Sequence, residues 1–457
     1  MSIRKRLTST MMMVLLAIPC ELLHSGDDYD PTSLVFPSFL HTMGVRKATK
    51  THLRIYSRNK VKVRDPQGLT VVRMDSWDDP ESKNDDDEVT GYGVNSGANM
   101  IVYNKSMTSL DFYGPGQRGA GKLNKPTAVV ADRFGNVYVA DTGNHRIVKM
   151  FNPKKKLEFV EGIGGFGSRP GLFNAPGGLA MDSNGMVYIS DTGNHRIQEL
   201  RPDNQIHLWF GEQGKETGQL WRPQGIAVTN GQEKWTFYKD SFIVVIDLDG
   251  QRLQKFTLDG GFIAKADLAG SGVNNARLNY IALDYYSNIW VTDSNNHCIH
   301  KFDRGLNYLC SFGRKGDDDK EFIEPRGISI YKRFGQVFIA EKESAQYYWV
   351  GVDIKDLQIK YDEKLNALTL AFFLVEPTFF SLTVTTPEGN KVESFKRARY
   401  FSGKHLLRLS PNLKQWKASN QNASFVSGDY RFELKLEATY SSLNYFSKKM
   451  KRTLTIK

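Results

Sequence analysis

The seven residues Asp-Thr-Gly-Asn-His-Arg-Ile occur twice in this chain, at 141–147 and again at 191–197. Identity over seven positions marks an internal repeat, and a repeat constrains the fold more tightly than any compositional figure. Aligned on it, "KPTAVVADRFGNVYVADTGNHRIVKMF" from Lys125 matches "APGGLAMDSNGMVYISDTGNHRIQEL" from Ala175. Weaker copies begin at Arg222 ("RPQGIAVTNG", then "SFIVVIDLDGQRLQKF"), at Leu278 ("LNYIALDYYSNIWVTDSNNHCIHKF") and at Glu324 ("EPRGISIYKRFGQVFIAEKESAQYYWVGV"). A sixth, at 65–75 and 93–114, is split by the acidic insert "NDDDE" at 84–88.

Each copy has the same grammar. A short apolar strand follows Pro-x-Gly or its equivalent, then a Gly/Asn turn ("RFGN", "DSNG") and an alternating strand ("VYVAD", "MVYIS"). The "TGNH" turn leads into a third strand, and a fourth ends in Gly-rich sequence. Four short antiparallel strands, repeated, are the pattern of a β-propeller blade. The copy after Glu324 lacks a fourth strand, whereas "THLRIYSRNKVKVRD" at 51–65 alternates like a strand and has no blade of its own. We expect that N-terminal segment to complete the last blade, since pairing the ends removes open sheet edges.

Composition agrees with a folded β protein. The 457 residues are 40% hydrophobic and 24% charged, with 40 Gly, 27 Phe and 20 Tyr, residues that favour turns and strands. The net charge of +11 is uneven: residues 351–457 hold 18 Lys and Arg against 10 Asp and Glu, leaving +3 for the rest. Arg4–Arg6 followed by "MMMVLLAIPC" reads as an export signal, too short to span a bilayer. Cys20 stands where a bacterial lipoprotein carries its lipid, although Ile18 and Pro19 fit that motif poorly. The expected location is therefore periplasmic, envelope-associated or secreted, with no transmembrane segment in the mature chain.

The repeated segments resemble NHL repeats over roughly residues 50–354, and that resemblance implies a β-propeller, often six-bladed. After "VGVDIKD" the pattern changes to strands separated by Pro, Gly and Asn turns, consistent with a β-sandwich. There "LTVTTPEGNKV", "SGKHLLRL" and "SGDYRFELKLEA" resemble the immunoglobulin-like domain of the flagellar hook capping protein. The expected fold is all-β: an export signal at 1–20, a linker at 21–50, a six-bladed propeller at 51–354 closed by an N-terminal strand, and a small immunoglobulin-like sandwich at 355–457.

The side chains in the repeat need a role. Asp141 and Arg146, Asp191 and Arg196, and Asp247 and Arg252 share one spacing across a tight turn, which suits a structural Asp–Arg contact. The other copies place Asp293/Cys298, Glu341/Gln346 and Asn95/Met100 there. His145, His195 and His297 occupy equivalent turns on different blades, too far off the axis to share a zinc ion. That end also carries the long blade-to-blade loops, so His145, Arg146, His195, Arg196, Arg252 and His297 are the candidate binding residues. Cys298 and Cys310 sit on neighbouring strands of one hairpin, read as small buried residues, with a disulfide compatible with export.

Enzyme signatures are sparse. "GIGGFG" at 162–167 fits G-x-G-x-x-G with no helix to follow, and no H-E-x-x-H, G-x-S-x-G or EF-hand loop occurs. The inner-strand entries that would hold an axial metal in a lyase or lactonase are Gln67, Thr127, Gly177, Gln224, Asn279 and Arg326, a poor cage for a dication. No cofactor is implied. The leading expectation is an exported, non-catalytic binding or scaffolding protein that takes a protein or cell-envelope glycan on its loop-rich face. The alternatives are a metal-dependent lyase or lactonase and an RNA-binding propeller. The small propeller charge and the export signal argue against nucleic acid, and the sequence sets no oligomeric state.

Overall fold

The computed structural model describes residues 31–37, 46–75, 89–106, 109–114, 116–153, 156–411 and 424–457. The expected export signal at 1–20, Cys20 and the acidic run at 84–88 lie outside them. Five sheets of four consecutive antiparallel strands follow the repeat, their inner strands being Pro66–Arg73, Ala128–Ala131, Gly178–Met181, Ile226–Thr229 and Leu278–Leu283. A sixth is built on Ile328–Tyr331, Gln336–Ala340 and Ala345–Val350. Each inner strand packs on that of the next sheet, and Ile328–Tyr331 returns to Pro66–Arg73, so the six sheets close into a ring of blades.

The core of this ring lies between blades. Val129 and Val137 of the second pack with Tyr92 and Ile101 of the first, and Ala227 and Val244 of the fourth with Ile281 and Val291 of the fifth. A middle strand thus has a neighbouring blade on each face, which is why "VYISD" and "FIVVID" are buried at every position. The outermost strand has no such cover, and Ile206–Phe210 alternates between half-buried and exposed.

The Pro-x-Gly signature follows from the crowding of inner strands. A Cβ on Gly178 would stand 1.9 Å from the carbonyl oxygen of Gln224, and one on Gly225 would stand 2.4 Å from that of Asn279. Only glycine permits that approach.

An N-terminal segment does complete the sixth blade, but it is not 51–65. Leu34–Val35 pairs with Val350 and Trp349, and Lys47–Ala48 with Gln346 and Ala345. Both pieces fall in the stretch read as a linker. Thr32 ties the first piece down, its N–H donating to Asp353 Oδ2 at 3.1 Å and its hydroxyl to the Val352 carbonyl at 2.7 Å. Residues Lys50–Tyr56 form a helix instead. Leu53 and Ile55 alternate like a strand, but Leu53 and Tyr56 are spaced for one helical face, and Thr49 with His52 forms the capping box that starts the turn.

Past Ile354 the chain forms two sheets, one of three strands and one of four, closed over a core that includes Leu370, Phe372, Phe380 and Phe432. This unit is docked on the ring. Lys301, 1% exposed, is ion-paired with Glu376 and lies 3.8 Å from Asp284 Oδ2, its ammonium 4.5 Å from the Trp290 ring centroid. Ser442 Oγ donates to the Val350 carbonyl at 2.6 Å, and Tyr286 donates to Thr439 Oγ1 at 2.8 Å. The ring of Tyr440 meets those of Tyr285 and Tyr286 edge-on.

Candidate functional site

Strand register separates the two ends of the ring. Gly178 pairs with Ser190, beside the 192–195 turn, whereas Met181 pairs with Val187 across the 182–186 turn. The DTGNHRI turns, the blade-to-blade loops and the inner-strand entries therefore share one end. The short turns after each inner strand define the other.

At the first end the repeat is a fastening device. Asp141 Oδ2 accepts from Arg146 Nε and Asn144 Nδ2, both at 2.8 Å, while Oδ1 accepts the N–H of Asn124 at 2.7 Å. Asp191 does the same with Arg196, Asn194 and the Asn174 N–H, and Asp247 with Arg252 and the Trp221 N–H. The acid thus holds the loop arriving from the previous blade, and the arginine caps that loop's carbonyls. Arg146 reaches Lys122, Arg196 reaches Arg169 and Leu172, and Arg252 reaches Lys215, Glu216 and Gln219. Copies lacking the Arg keep the acceptor: Asn95, Asp293 and Glu341 take the N–H of Arg64, Arg277 and Ile323.

The histidines face forward. His145, His195 and His297 stand at φ 54°, 57° and 54°, and their Nδ1 atoms accept the N–H of Ala175, Arg222 and Glu324, each at 3.0 Å. Each donor precedes a proline at the entry of the next blade and has φ near 50°, where a side chain is strained. Asn99 performs the same task in the first blade, accepting from Lys125 at 2.7 Å. Thr142 and Thr192 donate onward to Pro176 and Pro223. The six candidate binding residues thus lie at one end as expected, but their Nδ1 atoms and guanidinium groups are taken up by blade-to-blade contacts. Cys298 and Cys310 are buried free thiols, Cys310 being in register with Lys301 rather than with Cys298.

The axis is blocked at this same end. The Tyr280 hydroxyl lies 2.9 Å from both Gln67 Oε1 and the Thr127 carbonyl. Tyr280 belongs to the fifth blade and Thr127 to the second, so the ring of this side chain bridges the centre. Burial pushes its phenol well above the ordinary range, which keeps it a neutral donor. Arg326 closes the rim with Asp65 and Glu324, both at 3.1 Å.

Beyond Tyr280 the axis widens into a cavity of about 980 Å³ that reaches the other end. Its wall is apolar, with Leu69, Val71, Val130, Ala180, Val228 and Ile281 among the lining residues. Its rim is charged and aromatic, with Arg133, Phe134, Lys234, Trp235, Lys332 and Arg333. Trp235 stands on the 230–241 loop, the longest of the post-inner-strand turns among the described residues, and Phe237 of that loop packs on Tyr285, Tyr286 and Phe401.

The rim carboxylates are turned into their own loops. Asp132 accepts the N–H of Phe134 and Asn136, Asp182 that of Asn184 and Met186, and Glu233 that of Asn230. Arg133 is paired with Asp75 at 3.5 Å and lies over Phe134 at 4.7 Å, while Lys234 and Arg333 lie over Trp235 at 5.3 and 5.2 Å. Lys332 makes no hydrogen bond or ion pair among the described residues. Burial lowers its ammonium below the usual lysine value, against the pull of Glu233 and Asp284.

The two DTGNHRI copies match a known family model. Residues 123–150 and 173–200 are NHL repeats. No curated relative matches the chain. Among solved structures it is similar to a virginiamycin B lyase from Staphylococcus aureus at 15% identity, over 57% of this chain and 76% of that one, with a TM-score of 0.40. A Bacteroides thetaiotaomicron protein of unknown function is 17% identical over 64% and 70%, at 0.45. A Xanthomonas campestris gluconolactonase is 11% identical over 71% and 96%, at 0.43. Likeness at this level says nothing about activity.

Sequence reasoning missed Tyr280, Lys332 and Trp235. Tyr280 sits one residue past the expected axial entry Asn279, and the signal for Trp235 was the length of the 230–241 stretch between two clear strands.

Proposed function

We propose that this chain is an exported, non-catalytic binding protein, and that its ligand is an acidic glycan seated at the open end of the axial cavity. The observation that carries this reading is the rim, where the Trp235 face stands beside Lys234 and Arg333 while Asp132, Asp182 and Glu233 hold their own turns. A uronate residue offers a matching pair of features: an apolar face of axial C–H groups on its chair-shaped ring for Trp235 or Phe134, and a carboxylate for Lys332 or Arg333. Half-exposed charge contacts contribute only about 0.2–1 kcal/mol each, so affinity would come from several sugars and would fall with added salt.

The lyase or lactonase alternative calls for acids, Asn or His at the inner-strand entries, which in this chain are Gln67, Thr127, Gly177, Gln224, Asn279 and Arg326. Among the described residues, the group of three or more His, Cys, Asp or Glu whose ligand atoms converge lies within the fifth blade instead. Calorimetric titration with oligogalacturonate, and with its methyl ester as the neutral control, tests the proposal. Binding of the acid form alone, weakened about two- to fivefold by Lys332→Met, is expected. Equal binding of both forms, or of neither, would sink it.

A further inference from the structure

In the third and fourth blades the residues five and seven positions after the turn aspartate are Arg196 with Gln198 and Arg252 with Gln254. Gln198 Nε2 donates to Asp191 Oδ2 at 2.9 Å, completing the latch. In the fifth blade those positions hold Cys298 and His300, both buried, and Asp293 is fully buried. Cys298 and His300 are two apart on one strand and so share a face, and Cys298 is the register partner of Asp293.

We infer that Asp293, Cys298 and His300 form a zinc site. Their ligand atoms all lie within 4.8 Å of one another. Zinc holds oxygen and nitrogen at about 2.0 Å and sulfur at about 2.3 Å, so tetrahedral angles set N and O about 3.3 Å apart and N and S about 3.5 Å apart. His300 Nε2 is 3.1 Å from Asp293 Oδ2 and 3.6 Å from Cys298 Sγ. A metal-free latch needs only the Asp–His contact, and the single Nε2 hydrogen cannot serve both neighbours.

The supporting groups are in place as well. Asn296 Nδ2 holds Asp293 Oδ2 at 2.7 Å, and backbone N–H groups of Arg277, Asn295 and Asn296 hold Oδ1. His300 Nδ1 lies 2.8 Å from Ser311 Oγ, which also meets the Tyr308 hydroxyl. On zinc binding the thiol of Cys298 loses its proton to solvent. The imidazole keeps its hydrogen on Nδ1, donating to Ser311, and frees Nε2 for the metal. One carboxylate and one thiolate cancel the charge of the dication, leaving a neutral buried centre. Three protein ligands leave one coordination position for water.

The test uses the full chain, reduced and stripped of metal, titrated with Zn²⁺ against a chromophoric chelator. Cys298→Ser and His300→Gln are compared with it; Gln at position 300 copies the latch of the third blade and keeps the fold. The expected result is one zinc per chain, bound at least 100-fold more tightly than by either variant, with a thiolate-to-metal charge-transfer band in the Co²⁺ form that Cys298→Ser abolishes. Wild-type affinity no greater than that of His300→Gln, or a Co²⁺ spectrum without the thiolate band, would overturn the assignment. Neither outcome depends on the glycan proposal, which rests on a different end of the ring.

Discussion

The hydroxyl of Tyr280 on the fifth blade reaches the Thr127 carbonyl on the second at 2.9 Å, across the axis of the ring. One side chain therefore closes the propeller at the end where its repeated motif lies, and the cavity opens only the other way. Tyr280→Phe should cost about 1 kcal/mol in urea unfolding, the usual worth of a buried hydrogen bond. Glycan affinity should be unchanged, because the ring still fills the axis.

The histidine latch predicts a ranked series. His195→Ala removes the acceptor for the Arg222 N–H and should cost about 1 kcal/mol. His195→Asn should recover most of it, since Asn99 already does this work with the same left-handed backbone. Thermal unfolding of the two variants checks the order.

The same residue gives a pH dependence. Burial, followed by the nearby Arg222, lowers the His195 pKa from its ordinary 6.5, so the unfolded chain binds the proton more readily than the folded one. The His195 contribution is present above pH 6.5 and is lost as pH falls through the lowered folded value. The difference in melting temperature between wild type and His195→Ala should shrink on acidification below pH 6.5; a constant difference would remove the latch from the account.

Close approach of inner strands makes a paired glycine prediction. Gly178→Ala must push back the Gln224 carbonyl and should cost about 1–3 kcal/mol or more. Gly165→Ala meets nothing within 4 Å and should leave stability within about 0.5 kcal/mol of wild type. Denaturant midpoints compare them directly.

The domain contact rests on a buried charge. Glu376→Gln leaves Lys301 buried without its close partner and should cost about 3–5 kcal/mol, whereas Lys301→Met with Glu376→Leu should recover most of that. Limited proteolysis near Asp353, read alongside the unfolding curves, would show whether the sandwich has come loose.

Much of this architecture was legible. Runs such as "VYISD" and "FIVVID" announce strands covered on both faces, and the spacing of Asp191 and Arg196 encodes their 2.8 Å contact. The closing strand was not legible, because Leu34–Val35 is too short for any period and the alternation at 51–65 also suits a helix. The chain neighbour of Cys298 is His297, which sits in the turn; the residue that meets its sulfur is His300, two positions on. The mouth of the cavity was hidden because its residues sit in turns that read only as Gly/Asn punctuation.

The central claim is that the repeated motif fastens blades while ligand binds at the opposite end. It is tested by measuring oligogalacturonate affinity in two variants of matched stability. One carries Asn at positions 145, 195 and 297; the other carries Lys332→Met. The account predicts unchanged affinity in the first and about a two- to fivefold loss in the second. Loss of binding in the first with retention in the second would contradict it.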